Sequence, residues 1–343
     1  MTSTTPITVT IDDVYAARDR LASLLPRTPL FSSRTLSQMT GTTLRLKAEN
    51  LQRTGSFKVR GALNAVLQLT PDEKTRGVVT FSAGNHGQAL AYAATASGVR
   101  CTVFMAENAV PAKVEAIRGY GAEIRFGPNI GAAFEAMEAF GRDTGATFVS
   151  PFADPAVIAG QGTVALEILD DAPEVEQLVV PVGGGGLISG VALTAKTLRP
   201  DLRIVGVEPE GSTAVLQGLR AGHPVRIERN ETIADGLSAP FTADLNLAII
   251  GQHVDDTVTV ADDEIAAALR LLLARTKLLA EPAGAAAVAA LLTGKAAVPH
   301  GSPTVAILSG GNIGPQRLKE LVVAPPPRPR GVPSALPQAT SVG

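Results

Sequence analysis

Two rounds of alternating short strands and helices limit the folds open to this chain more than any other feature. The first round begins at residue 77 and the second follows Pro151. Because parallel strands need crossover connections, which the helices supply, each round predicts an open, doubly wound sheet. Two α/β units should therefore enclose a cleft, with ligands beyond the carboxyl ends of the strands. The predicted strands are 77–82, 100–105, 123–126, 177–182 and 203–208, and the predicted helices are 87–97, 112–120, 130–144, 162–170 and 187–198.

The length and charge balance of the chain exclude several classes of protein. Its 343 residues, 45% of them hydrophobic, are enough for two domains with separate cores. The 30 basic residues nearly balance the 32 acidic ones, which leaves no electrostatic footprint for nucleic acid or an anionic membrane. No apolar stretch approaches the ~20 residues of a membrane span, and no basic region followed by an apolar run opens the chain. We expect a cytoplasmic protein that binds neither nucleic acid nor membrane.

The cysteine and histidine residues indicate neither a disulfide nor a zinc site. Cys101 is the only cysteine, so an intramolecular disulfide is excluded and a reducing compartment fits. The four histidines lie far apart in the sequence and match no zinc-ligand spacing. They are His86, His223, His253 and His300.

Lys58 stands at the junction between a predicted strand and a predicted helix. The strand, residues 43–49, alternates apolar and polar side chains and leads into a Thr-Gly-Ser turn, which Phe57 and Lys58 follow. The positive end of a helix dipole and the nearby Arg60 both favour a neutral amine, the form that condenses with a carbonyl group. For an isolated Ser-Phe-Lys sequence, a solvated lysine on a first helical turn is the alternative.

Four consecutive glycines follow the buried strand 177–182 and precede a helix that opens at Leu187. Glycine lets the backbone approach a phosphate closely, and N–H groups at a helix N-terminus hold a dianion. A tight turn without a ligand explains the glycines equally well. A dinucleotide site lacks its Gly-x-Gly-x-x-Gly spacing, because Ile188 occupies the sixth position, but Glu208 ends the next strand as a ribose-binding acid would, so this alternative stays open. The four residues are Gly183, Gly184, Gly185 and Gly186.

Three further motifs place polar side chains at strand or helix ends. Residues 82–87, Ser-Ala-Gly-Asn-His-Gly, lie between a strand and a helix and offer a second anion-binding terminus. Residues 281–284 are Glu-Pro-Ala-Gly, and residues 309–312, after a predicted strand, are Ser-Gly-Gly-Asn. Taken singly, each has a simpler explanation: His86 as a helix cap, Glu281 as an ordinary N-terminal helix residue, and the paired glycines as a turn.

Taken in their order along the chain, the five motifs resemble those of the pyridoxal-phosphate enzymes of the tryptophan-synthase-β type. Within that type, they resemble the threonine/serine dehydratase and serine racemase branch. The resemblance spans about residues 27–321. It implies that pyridoxal 5′-phosphate lies in the cleft between a larger domain, residues 1–66 and 152–322, and a smaller domain, residues 67–151. Family members are commonly dimers, so a homodimer is expected. The Pro-rich tail, residues 323–343, is expected to be disordered.

The resemblance also assigns roles to individual residues. Lys58 carries the cofactor covalently and, once freed by the substrate amine, removes the Cα proton. Asn85 binds the phenolic oxygen of the cofactor, and the Ser309 hydroxyl faces the pyridine nitrogen, which makes the cofactor a weaker electron sink and favours loss of a β-leaving group. Cofactor contacts are implied for Phe57, Lys58, Asn85, Gly183, Gly184, Gly185, Gly186, Leu187, Gly236, Glu281 and Ser309, and contacts with the substrate, including its carboxylate, for Ser82, Ala83, Asn85 and His86.

Three departures from relatives bear on the reaction. Racemases that resemble this chain carry a serine where it has Ala83, and a methyl group moves no proton, so we predict elimination with little racemisation. The divalent-cation site of several relatives pairs a glutamate with an aspartate six positions on. Here Glu208 is followed by Ala214, and we predict no metal. Racemase-like members place an arginine where Phe134 stands, which favours threonine or a bulkier hydroxyamino acid over serine.

With the resemblance, these features predict a pyridoxal-phosphate-dependent ammonia-lyase, or dehydratase. It would convert a β-hydroxy-α-amino acid, L-threonine or L-serine by default, to a 2-oxo acid and ammonia by α,β-elimination. The leaving hydroxyl would take its proton from Lys58 or from the cofactor phosphate. Only about thirty residues follow Asn312, too few for a regulatory domain, so a role in amino-acid catabolism is expected. The alternatives are another pyridoxal-phosphate reaction, such as racemisation, β-replacement or dehydration of a bulkier substrate, and a noncatalytic phosphate or dinucleotide binder.

Overall fold

The chain forms two largely parallel sheets, each covered by helices on both faces. The computed structural model describes residue 6, residues 8–228 and residues 230–323; beyond Val323, the predicted tail lies outside these residues. The strands are β1 Leu30–Ser32, β2 Thr43–Ala48, β3 Val78–Phe81, β4 Cys101–Ala106, β5 Glu123–Gly127, β6 Thr147–Phe148, β7 Gln177–Pro181, β8 Arg203–Pro209, β9 Asp256–Val260 and β10 Pro303–Leu308. The helices are α1 Ile11–Leu21, α2 Arg34–Thr40, α3 Lys58–Leu67, α4 Pro71–Arg76, α5 Asn85–Ala96, α6 Pro111–Gly119, α7 Ile130–Thr144, α8 Pro155–Asp171, α9 Gly186–Leu198, α10 Ala214–Ala221, α11 Asp244–His253, α12 Asp262–Thr276, α13 Pro282–Leu292 and α14 Pro315–Val323. Three short 3-10 turns occupy Glu49–Leu51, Arg53–Gly55 and Asp235–Leu237.

The larger sheet has six strands in the order β1-β2-β10-β7-β8-β9, and the smaller has four in the order β5-β4-β3-β6. Neighbouring strands are parallel except β1 and β2. Alternate residues of β7 pack on opposite faces: Val179 joins the core under α13, whereas Leu178 and Val180 join the core under α9. Helices α5 and α7 cover opposite faces of the smaller sheet in the same way. The predicted α/β fold with two doubly wound sheets is confirmed.

Helix α8 is longer than predicted, and the sequence prediction missed several elements, among them the strands β1, β6 and β9. Helix α8 begins at Pro155 rather than at residue 162, because Asp154 caps it by accepting N–H groups from the first turn. Its residues from 157 to 166 are buried on all sides, so no apolar period marks them. The antiparallel edge strand β1 was missed because three residues are too few to show an alternation.

The two sheets are built from separate parts of the chain. The strands of the smaller sheet lie between residues 78 and 148, and all strands of the larger sheet lie outside that range. Helix α3 packs both on α5, behind the smaller sheet, and on α8. Within the described part of the chain, no helix is at once long and apolar enough to cross a membrane.

Glycines allow α3, α8 and α9 to pack with closely approaching backbones. A Cβ added to Gly160 of α8 would lie 2.6 Å from the Arg60 carbonyl oxygen and 2.7 Å from the Cα of Gly61 in α3. A Cβ added to Gly190 of α9 would likewise overlap the backbone of α8. These contacts fix the position of α3 and therefore of Lys58, its first residue.

We expect Gly160→Ala to lower the free energy of unfolding by about 1–3 kcal/mol, the usual cost of overpacking. Urea unfolding followed by circular dichroism measures it. Gly119→Ala, at the C-terminal end of α6, is the matched control, because a Cβ there meets no heavy atom of the described residues within 4 Å. Equal stability of the two variants would contradict the close packing of α3 on α8.

Candidate active site

Lys58 begins α3 at the end of a tight turn. Thr54 and Gly55 have positive φ values of 61° and 73°, which turn the chain sharply after β2. The Lys58 Nζ donates a hydrogen bond to the Pro151 carbonyl oxygen at 2.7 Å and lies 5.1 Å from the ring centroid of Phe57. Burial of the amine lowers the pKa of Lys58 to about 8, which makes the neutral amine accessible near neutral pH.

Arg60 points away from Lys58 into a buried ion network. Its guanidinium donates two hydrogen bonds to Glu49, each of 2.8 Å, and two to Glu167, of 2.6 and 2.9 Å. Burial opposes the charge, but the two carboxylates outweigh it and raise the pKa of Arg60. The expectation that Arg60 keeps Lys58 neutral is therefore wrong. Residues two apart on a helix do not face each other, and burial is what lowers the pKa of Lys58.

The four glycines connect β7 to α9 under the segment that contains Phe152. A Cβ on Gly186 would lie 2.8 Å from the Phe152 Cα, and one on Gly184 would overlap the Phe152 ring. Gly185 has a φ of 96°, which favours glycine. Because α9 starts here, its first N–H groups have no partner within the helix and can bind an anion.

The segment around Gly236 lies between the glycine loop and Ser309. A Cβ on Gly183 would lie 3.1 Å from the Leu237 Cα, and one on Gly236 would lie 2.9 Å from the Cβ of Ala283. The buried Ser309 hydroxyl makes a long hydrogen bond of 3.4 Å to the Ala283 carbonyl oxygen. The structure therefore brings these predicted site residues together, as the motifs indicate.

His86 follows the turn formed by Ser82 and Ala83 and is buried. Its Nε2–H donates to the Val149 carbonyl oxygen at 3.0 Å, which leaves Nδ1 as an acceptor without a partner among the described residues. Burial, reinforced by the charge of Lys58, lowers the pKa of His86 to about 3, so the ring is neutral. A neutral ring with only an acceptor free donates nothing to a carboxylate. A contact between His86 and a substrate carboxylate must therefore use its backbone N–H.

Asn85, Glu281 and Asn312 form a side-chain hydrogen-bond network centred on Asn85, although they come from three distant motifs. The Asn85 Nδ2 donates to the Glu281 Oε1 at 2.6 Å. The Asn312 Nδ2 donates to the Asn85 Oδ1 at 2.8 Å and to the Thr54 carbonyl oxygen at 2.7 Å. Burial raises the pKa of Glu281 to about 7, although the Asn85 N–H opposes the rise. Asn312 belongs to the Ser-Gly-Gly-Asn motif, but the sequence indicates no role for its side chain.

An ion pair next to this network joins Lys113 of α6 to Asp235 in the turn beside the glycine loop. Asp235 raises and Lys113 lowers the pKa of Glu281, so both charges lie near that carboxyl. The pair links a helix of the smaller sheet to a segment packed on the larger one. Neither residue was predicted, because no local pattern marks a pair that lies 122 positions apart.

Three side chains that the sequence singled out have surroundings different from those expected of them. Leu187 packs its side chain in the core, so only its backbone N–H can reach a ligand. The buried Glu208 carboxylate accepts two N–H groups of α10, which makes it a helix cap and leaves it poorly placed to bind a ribose. Phe134 packs edge-on against Phe81, with ring centroids 5.9 Å apart. In the described ranges, no group of three His, Cys, Asp or Glu side chains is arranged to hold a metal ion.

A family profile matches most of the chain. The profile described as "Pyridoxal-phosphate dependent enzyme" covers residues 21–310. The chain belongs to the pyridoxal-phosphate-dependent enzymes. This confirms the resemblance to that family and the predicted cofactor.

Individual pyridoxal-phosphate-dependent enzymes are similar over nearly the whole chain. The chain is 44% identical over 306 residues to the L-threonine ammonia-lyase of Thermotoga maritima, an alignment that covers 89% of this chain and 76% of that protein. The structure of maize serine racemase matches with a TM-score of 0.87 and 36% identity, over 91% of this chain and 96% of that one. The structure of a T.th. threonine deaminase matches with a TM-score of 0.84 and 40% identity, over 89% and 99%.

The residues of the cleft fit the cofactor of the pyridoxal-phosphate-dependent enzymes. The glycine loop at the start of α9 fits a phosphate dianion, and the low pKa of Lys58 fits condensation with an aldehyde. Two buried hydroxyls nearby lack good hydrogen-bond partners. Ser56 Oγ has no partner within the described residues, and Ser309 Oγ has only its 3.4 Å bond. Since buried polar atoms are normally hydrogen-bonded, these hydroxyls indicate room for a polar ligand.

Proposed function

We propose that this chain is an ammonia-lyase that converts L-threonine or L-serine to the corresponding 2-oxo acid and ammonia. The observation that carries the proposal is the half-buried Lys58, whose pKa is lowered to about 8, beside the loops that contain Asn85, the four glycines and Ser309. The names of the relatives support it, since the protein from Thermotoga maritima is an L-threonine ammonia-lyase and the T.th. protein is a threonine deaminase.

We assign the cofactor contacts as the sequence predicted, with one change. The amides of the glycine loop and of Leu187 would bind the phosphate, and Phe57 would pack on the ring. Ser309 would face the pyridine nitrogen, and Asn85 the phenolic oxygen. Glu281 would act through Asn85, with which it is hydrogen-bonded. When bound, pyridoxal phosphate withdraws electrons from the substrate Cα and so acidifies its C–H bond.

Lys58 would move the proton in this reaction. As a free amine it would take the proton from Cα, and the Pro151 carbonyl oxygen, which accepts a hydrogen bond from Nζ, would hold the resulting ammonium. The β-hydroxyl then leaves as water, with its proton supplied by Lys58 or by the phosphate. The released enamine is hydrolysed to the 2-oxo acid and ammonia. The Ser82 hydroxyl and the backbone N–H groups around His86 would hold the substrate carboxylate, since the His86 ring is neutral and has no free donor.

Comparing substrates tests the proposed function. We expect the purified, cofactor-loaded protein to form 2-oxo acid and ammonia from L-threonine and L-serine, with L-threo-phenylserine as the bulkier comparison. Loaded protein that releases neither product from any of the three would contradict the ammonia-lyase assignment.

Serine racemisation is a second candidate, favoured by the match to maize serine racemase. It needs a second acid-base group opposite Lys58, and Ala83 supplies none. We expect Ala83→Ser to raise the rate of D-serine formation from L-serine by up to about 10²-fold, the low end of what one acid-base group contributes. Chiral chromatography measures it, with Ala83→Gly as the control without a hydroxyl. Wild-type protein that makes D-serine as fast as 2-oxo acid would contradict the role of Ala83.

The other function considered for the glycine loop, a noncatalytic dinucleotide binder, conflicts with the family match. The capping role of Glu208 weakens it, because both carboxylate oxygens already accept helix N–H groups. Titrating the apo-protein separately with pyridoxal phosphate and with NAD distinguishes the two, and we expect saturable binding of the first alone.

We also propose a homodimer that works in the cytoplasm, with a larger domain of residues 1–66 and 152–322 and a smaller domain of residues 67–151. The single, buried Cys101 supports a reducing compartment. The separation of the two sheets supports the division into domains. Sedimentation equilibrium tests the dimer.

A further inference from the structure

We propose that Glu281 and Asn312 are positioning residues that lock the side-chain amide of Asn85 in one orientation, with an N–H rather than its carbonyl oxygen turned to the phenolic oxygen of the cofactor. The inference rests on the proposed function, since it concerns the bound cofactor. In this role neither Glu281 nor Asn312 touches the cofactor itself.

When Glu281 is ionised, above its pKa of about 7, both ends of the Asn85 amide are held by groups that fit only one orientation. Nδ2 donates to the Glu281 carboxylate at 2.6 Å, and Oδ1 accepts from the Asn312 Nδ2 at 2.8 Å. A flipped amide would set its oxygen against the carboxylate and its NH₂ against the NH₂ of Asn312, and both contacts are repulsive. The second N–H on the Asn85 Nδ2 has no partner among the described residues, so it is available to a ligand.

Asn312 connects the Asn85 side chain to the turn that precedes Lys58. It uses both hydrogens of its amide, one toward Asn85 and one toward the Thr54 carbonyl oxygen in the turn before Lys58. The Asn312 side chain, which follows β10, is therefore hydrogen-bonded to two loops. One is the loop of the smaller sheet that contains Asn85, and the other is the turn before Lys58 in the larger sheet. A change at Asn312 should disturb both loops.

Two glycines make room for the network of Asn85, Glu281 and Asn312. A Cβ on Gly310 would overlap the Glu281 Oε1 and would lie 3.2 Å from the Asn85 Nδ2. A Cβ on Gly55 would lie 2.9 Å from the Asn312 Cγ. The small residues of the Thr-Gly-Ser and Ser-Gly-Gly-Asn motifs are thus required by the side chains that meet between them, independently of any ligand.

The electrostatic setting favours a strong hydrogen bond from Asn85. Glu281 is only 3% exposed, and hydrogen bonds to carboxylates are stronger than those between neutral groups. The other charges near Glu281, Lys113 and Asp235, are paired with each other. A fixed N–H donor at the phenolic oxygen would stabilise negative charge there, and this shifts the cofactor toward the form that absorbs visible light.

The absorption spectrum of the cofactor-loaded protein without substrate tests the proposal, because it reports on the phenolic oxygen and not on turnover. We expect Glu281→Gln, whose amide no longer dictates the direction of Asn85, to move the equilibrium from the visible to the near-ultraviolet form by about tenfold, the effect of one hydrogen bond to a charged group. Asn85→Ala should shift it the same way. The double variant should match Asn85→Ala, because Glu281 acts through Asn85. The melting temperature shows whether Glu281→Gln folds. If it does not, the absorption spectrum of Asn312→Ala, alone and combined with Asn85→Ala, provides the same comparison.

The outcomes separate this inference from the proposed function. A wild-type band that persists unchanged in folded Glu281→Gln and Asn312→Ala would overturn the positioning role alone. Additive shifts in the double variant would do the same, because Glu281 would then act on the cofactor without Asn85. A wild-type protein that never develops a visible band would overturn the proposed function and this inference together.

Discussion

Replacing Lys58 with alanine will lower the rate of 2-oxo acid formation from L-threonine by at least about 10³-fold. Loss of one acid-base group alone typically lowers a rate by about 10²- to 10⁴-fold. The variant loses both the amine that carries the cofactor and the group that takes the Cα proton, and no other described side chain near the site replaces it. His86 is neutral with a pKa of about 3, and Glu281 is engaged with Asn85. A coupled assay for the 2-oxo acid measures the loss.

The matched control for this variant is Lys74→Ala. Lys74 is exposed on α4, so its removal tests the loss of a lysine without touching the cleft. The control should keep wild-type activity, and both variants should keep the wild-type circular dichroism spectrum. A folded Lys58→Ala variant with more than about a tenth of wild-type activity would contradict the role of Lys58, because an acid-base group contributes more than that.

Replacing Arg60 with methionine will lower the free energy of unfolding by about 3–5 kcal/mol, the typical cost of breaking a buried ion pair by removing one partner. Glu49 would remain buried with the hydroxyl of Thr28 as its remaining side-chain donor, and Glu167 would keep Lys47 and the Thr28 backbone N–H. The Glu49 carboxylate would be left with uncompensated charge in the interior, whereas Glu167 would keep its ion pair with Lys47. Urea unfolding at pH 7 measures the change.

Two companion variants identify the cause of this loss. Arg118→Met removes an exposed partner from a surface ion pair with Glu115, and we expect little change in the unfolding midpoint. Adding Glu49→Gln to Arg60→Met should recover part of the stability, because it removes the unpaired charge. A single Arg60 variant as stable as the wild type would contradict the account of the network.

Strands such as β3, β4 and β7 were predictable because each is a short apolar run bounded by turns or helices. The alternation in residues 77–144 located β3, β4 and β5 and the helices between them to within about two residues, since each helix has one face toward a sheet. The first turns of α8 escaped detection because a helix buried on all sides has no period. The strand β1 is too short to show one.

The candidate site was predictable where a motif is local and unpredictable where it depends on contacts between motifs. Lys58 and the four glycines lie at junctions between elements, which the sequence marks. The orientation of Arg60 was misjudged because closeness in sequence was taken for closeness in space, whereas α3 turns the two side chains apart. The contact between Asn85 and Glu281 joins residues 196 positions apart, and nothing in either motif specifies the other.

The most direct test of the central claim is to locate the covalently bound cofactor. Purified protein loaded with pyridoxal phosphate is reduced with borohydride, digested and examined by mass spectrometry. The account predicts one phosphopyridoxyl group per chain, on the peptide that contains Lys58, and loss of the visible absorption band on reduction. Modification spread over exposed lysines such as Lys74, or wild-type protein that takes up no cofactor, would contradict it.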